Sequence, residues 1–187
     1  DLSEVYVWID LLCTDHHGND LCELPMMWWS TTFRAGIKAI KNTCLVLHPW
    51  DDAVPLKRSW CHWVLHCSLS IDAATMAKAA TEKERLELLK NLKLDVRVTD
   101  KESAKLDTAL IADMEAPMKV LDTRLDGWKK GADAPTQAQR EKVEKAIERS
   151  EGGYEEFGRR LADVLHKRLL DRAKAVLNAL PEEERKT

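Results

Sequence analysis

The sequence predicts an α/β fold, a partial parallel sheet with helices on both faces, followed by a helical C-terminal extension. Three observations carry that expectation. Short β-branched and aromatic runs alternate with helical periodicity over roughly the first hundred residues. Beyond residue 68 the pattern turns almost wholly helical, punctuated by helix-capping signals. Composition breaks at the same place: all five cysteines, six of the seven tryptophans and five of the six histidines lie before residue 68. Acids and bases number 8 and 5 in residues 1 to 67, and 24 and 24 in residues 68 to 187.

The first element is Val5-Tyr6-Val7-Trp8-Ile9-Asp10-Leu11-Leu12, with the little polar relief expected of a strand buried on both faces, and Asp10 as a loop-bracing acceptor near its end. Thr14, Asp15, Gly18, Asn19, Asp20 and Pro25 form a loop long enough to be functional. Ser30 or Thr31 caps a helix carrying Phe33, Ile37 and Ile40, which Asn42 ends. Cys44 to His48 reads as a second buried strand, with Asp51 and Asp52 past its carboxyl end, where open α/β sheets bind ligands. Arg58 opens the next helix, poorly placed for the helix dipole, so a pairing with one of those aspartates is expected.

Further on, Thr81-x-x-Glu84 forms a capping box and Leu94-Asp95-Val96-Arg97-Val98 alternates as a half-exposed strand. Leu106, Leu110, Ile111, Met114, Met118, Leu121 and Leu125 make a helical stripe that Pro117 kinks or divides. Thr136-x-x-Gln139 opens another helix, and Gly152-Gly153 separates it from a long one running from Tyr154 to about Leu180, stopped by Pro181. The charge on these helices reads as solvated surface.

A chain of 187 residues, 44% hydrophobic, fits one domain with an appendage. A formal net charge of -3 gives no electrostatic footprint for nucleic acid. No run approaches the roughly 20 apolar residues of a membrane span, no signal peptide is legible, and five cysteines argue against a complete disulfide framework. A soluble, cytoplasmic protein is expected. Cys61, His62, His66 and Cys67 lie within two helical turns, and Cys13, His16, His17 and Cys22 share the long loop, so zinc is an alternative. The paired Cys-x-x-Cys form is missing, and no metal is expected. Trp8, Trp50, Trp60 and Trp63 suit either a nucleotide pocket or the core, the core being the commoner use of such rings.

Val7-Trp8-Ile9-Asp10 with His17, Trp28-Trp29-Ser30-Thr31-Thr32-Phe33, Leu45-Val46-Leu47 with Pro49-Trp50-Asp51-Asp52, and Arg58-Ser59-Trp60-Cys61 together resemble one family. It is the Toll/interleukin-1-receptor (TIR)-like domain of protist and algal kinesin-light-chain-like, tetratricopeptide-repeat proteins. Asp95-Val96-Arg97 and the tail from Ala175 to Arg185 match more weakly, and residues 100 to 134 have no counterpart. The resemblance implies a flavodoxin-like parallel sheet over residues 1–99, entered at its second strand, with the first upstream or missing. Residues 100–187 would be a helical extension and spacer toward repeats that this chain does not show. It implies a signalling or assembly module that binds protein partners or itself. Enzymes of that architecture cleave NAD with a glutamate in the order Trp-Cys-x-x-Glu, and here that position is Val64. An isopropyl group cannot stabilise an oxocarbenium-like cation, so catalysis is not expected and no catalytic residue is assigned. NAD as ligand or substrate, with Asp10, Trp50, Asp51 and Trp60 as the candidate pocket, is the alternative. A structural subunit of a larger complex is the second alternative.

Overall fold

The computed structural model describes residues 26–40, 42–70, 78–81, 83–84, 94–131, 136–150 and 152–181. The expected strand over residues 5 to 12, Asp10 and the loop donors Cys13, His16, His17 and Cys22 lie outside them. The described chain is mixed α/β and mostly helical, with a two-stranded parallel sheet.

Strand β1, Thr43–Leu47, pairs in parallel with β2, Leu94–Val98, Thr43 standing opposite Leu94 and Leu47 opposite Val98. Alternation sets the faces: Leu45, Leu47 and Leu94 are buried, whereas Cys44, Val46 and Arg97 are exposed. This corrects the expectation of a β1 buried on both sides. Val46 keeps 43% of its surface exposed, so the described helices do not cover both faces of this pair. An apolar run such as Cys-Leu-Val-Leu announces a strand, but only its neighbours decide how many of its faces are dry.

Helix α1 has three pieces, Met26–Trp28, a π-helical Trp29–Phe33 and Arg34–Ile40. Ser30 or Thr31 was expected to cap it; both lie inside it. Their hydroxyls donate back to the Met27 carbonyl at 3.1 and 2.7 Å, the alternative such residues have to capping. After β1, short 3-10 turns at Trp50–Asp52 and Val54–Leu56 lead into α2, Ser59–Leu69. The ion pair to Asp52 comes from Lys57, whereas Arg58 was the expected partner; Arg58 is exposed at the N-cap of α2.

The helical half follows its sequence signals closely. The Thr81 capping box closes from both sides, Glu84 N–H donating to Thr81 Oγ1 at 3.2 Å and Thr81 N–H to Glu84 Oε2 at 3.1 Å. The expected single stripe is divided into α3, Asp100–Ala112, and α4, Ala116–Gly131, with Pro117 buried in the first turn of α4, where its missing N–H costs nothing. Thr136 caps α5, Gln137–Glu148, accepting from Gln139 N–H at 3.2 Å. Gly152 and Gly153 turn the chain with φ of 79° and 56°, and a Cβ on Gly152 would stand 2.3 Å from the Glu156 Cβ. The 27-residue α6, Gly153–Ala179, then crosses the molecule. Its Tyr154, Phe157, Leu161, Leu165, Leu169 and Ala173 join Leu45, Leu47, Trp63 and Leu94 in one apolar cluster.

Candidate functional site

In a parallel α/β arrangement the carboxyl ends of the strands are where ligands bind, and here they converge on a carboxylate the sequence did not single out. Glu102 lies in the first turn of α3, directly after β2, and is 2% exposed. Its Oε2 accepts the Trp50 N–H at 3.1 Å, which ties it to the loop after β1, and its Oε1 accepts from Lys105 Nζ at 2.6 Å. His48, at the end of β1, meets Thr99 Oγ1 through Nδ1 at 3.2 Å. The Lys105 hydrogen bond, then the Trp50 N–H, hold the Glu102 carboxyl below the usual range, with the His48 field adding in the same sense. The same pair raises Lys105, and Asp51 adds to that. The arrangement joins two loops through one ionised carboxylate. Its sequence signal was Asp100-Lys101-Glu102, ordinary helix-starting acids; nothing local says that one of them turns inward.

The residues expected to form a nucleotide pocket have different neighbours. Trp50 is buried beside Glu102, and Asp51 is exposed on the same turn. Trp60 faces α1, its ring 4.4 Å from Trp29 and 5.3 Å from Phe33, in an aromatic group of half-buried rings that also includes Trp28. Val64 is half-buried on α2, and its carbonyl accepts from Ser68 Oγ at 2.8 Å.

The alternative metal donors are set into the core one by one. His62 is fully buried, with Nε2 2.9 Å from the Leu56 carbonyl, and burial lowers its pKa. His66 sits between Trp63 and Phe157, at ring distances of 5.6 and 5.4 Å. Burial, helped by Arg34, Arg160 and Lys38, brings its pKa down to about 4, so it is neutral at pH 7. Burial pushes the Cys67 thiol up to about 12, far from a reactive thiolate. Cys61 is half-buried. Among the described residues no three His, Cys, Asp or Glu side chains gather in a way that would hold a metal ion. Nor is any described helix long and apolar enough to cross a membrane.

Comparison with known proteins found no match to this chain among family models, curated proteins or solved structures.

Proposed function

We propose that this chain is a non-catalytic TIR-like assembly module that associates with a second copy of itself through the open face of its sheet. The observation that carries the reading is the exposure of Val46 on a parallel pair, a kind of sheet that ordinarily has both faces covered. Beside Val46 and Cys44 on that face lie Asp95 and Arg97, adjacent in register and of opposite sign. Such a patch is self-complementary: a two-fold contact sets the acid of each copy against the base of the other. Within one copy Asp95 already accepts from Arg97 at 2.6 Å and from Arg168 of α6 at 2.7 Å, so a contact between copies exchanges the Arg97 pairing while Arg168 stays in place. Val64 at the glutamate position supports the non-catalytic half of the proposal.

Sedimentation at increasing protein concentration tests it. Self-association is expected in the wild type, and Val46→Asp is expected to abolish it while leaving the helical circular dichroism unchanged, because the side chain is exposed. A protein that stays monomeric throughout, or a Val46→Asp variant that associates equally well, overturns the proposal. The competing hydrolytic reading draws on Glu102, a carboxylate at the strand ends. Release of nicotinamide from NAD by the wild type, lost in Glu102→Gln, would establish that reading, whereas release only by Val64→Glu would support a TIR-like pocket that has lost its catalytic acid.

A further inference from the structure

One helix-capping signal occurs twice in this chain, and the two copies end differently. Thr81-Glu82-Lys83-Glu84 and Thr99-Asp100-Lys101-Glu102 differ by a single exchange of Glu for Asp. The first closes as a reciprocal box between Thr81 and Glu84. The second stands open. Thr99 is the N-cap of α3, with extended backbone, and its side chain makes no capping hydrogen bond.

Both side chains of the open box reach instead to the segment that follows β1. Thr99 Oγ1 meets His48 Nδ1 at 3.2 Å, and Glu102 Oε2 accepts the Trp50 N–H at 3.1 Å. Trp50 begins the 3-10 turn Trp50–Asp52, which packs against α4 and is held at its far end by the Asp52–Lys57 ion pair. A buried carboxylate has an ordinary use in fixing a loop N–H, and that accounts for Glu102 turning inward. It does not account for Thr99. A cap needs no reciprocal partner: Thr136 caps α5 through the Gln139 N–H while Gln139 Oε1 makes no hydrogen bond. Thr99 could likewise cap α3 with Glu102 turned inward, yet its hydroxyl is turned to His48.

We infer that residues 48–52 form a strap at the carboxyl ends of the two strands, fastened to the start of α3 by Thr99 and Glu102 and released when those two residues close their own capping box. The same groups serve both states. Fastened, they make the His48–Thr99 and Trp50–Glu102 hydrogen bonds. Released, Thr99 Oγ1 accepts the Glu102 N–H and the Glu102 carboxylate accepts the Thr99 N–H, as the twin motif does at residues 81 and 84. Two hydrogen bonds are exchanged for two, which keeps the states close in free energy, so the exposed His48–Thr99 contact is enough to bias them. Lys105, on the same helix as Glu102, is available to its carboxylate in either state. The strap does not depend on self-association through the sheet face.

Amide hydrogen exchange of the full chain, read residue by residue by NMR, separates a strap from a passive brace. His48 and Thr99 are both exposed, so their variants should fold. His48→Ala frees the Thr99 hydroxyl for its cap. The Trp50 amide, sheltered in wild type by a carboxylate 2% exposed, should then exchange faster, while the Glu102 amide exchanges more slowly. Each change should be about three- to tenfold, the scale of one hydrogen bond. Adding Thr99→Val to His48→Ala removes the cap acceptor and should return the Trp50 amide toward its wild-type rate. The Glu84 amide, in the twin box, should not respond to either change. Acceleration of both amides in His48→Ala, no change in either, or a Trp50 amide that stays fast in the double variant overturns the inference.

Discussion

His66 and Glu102 show how far a single residue's role depends on what surrounds it. Both are buried and titratable, and their pKa values are both lowered, for opposite reasons. Glu102 is ionised because its partners stabilise the charge, so its contribution is present above the usual carboxyl pKa and is lost as pH falls through the lowered one. His66 is neutral because burial penalises its charge. Its unfolded form takes up a proton near pH 6.5 and its folded form only near 4, so stability is full above 6.5 and declines as pH falls toward about 4. Across that window the loss is on the order of 3 kcal/mol, from 1.36 kcal/mol per pKa unit. Denaturant unfolding of the wild type between pH 7 and 4 should show this slope, and His66→Leu should flatten it. The sequence exposed His66 as part of a Cys/His group but could not say that its partners were Trp63 and Phe157, because those contacts cross from α2 to α6. Glu102 was invisible among neighbouring acids.

At the scale of elements, the sequence was most legible where the determinants are local. The Thr81 and Thr136 caps, the division at Pro117 and the Gly152-Gly153 turn are each decided within four residues, and each is observed. Of the misread features only the burial of β1 depended on distant atoms; Ser30 and Thr31 found the Met27 carbonyl three and four residues back, and Asp52 took Lys57 five residues on, each a local alternative as good as the expected one. The long helix α6 owes its position to one stripe, Phe157, Leu161, Leu165, Leu169 and Ala173, and Leu165 is 1% exposed within it. Leu165→Ala removes packed methyl groups from a site walled by other helices and is expected to cost about 2–5 kcal/mol of unfolding free energy. Leu170, one face away and 40% exposed, should change it by no more than about 0.5 kcal/mol when replaced by alanine. Urea titrations of the two variants provide the comparison.

For the whole molecule, the sequence drew a line near residue 100, whereas the apolar cluster runs across it from Leu45 and Trp63 to Leu165 and Ala173. A shared core couples the two parts, so tryptophan fluorescence, dominated by residues before 68, and helical circular dichroism, weighted to α3–α6, should report the same unfolding midpoint. Two separated midpoints would mean that the charged helices fold as an independent unit. What the sequence determined by itself was the type and order of elements: a strand over residues 44 to 48, another over 94 to 98, and capped amphipathic helices after them. Local propensity, capping and hydrophobic period encode those features within a few residues. Tertiary structure alone decided that the described helices leave one face of the expected parallel pair exposed, that Glu102 joins the strands' carboxyl ends, and that His66 packs between Trp63 and Phe157. Each of these joins residues from elements far apart in the chain, and the free energy of such contacts depends on distances and burial that exist only once the chain has packed.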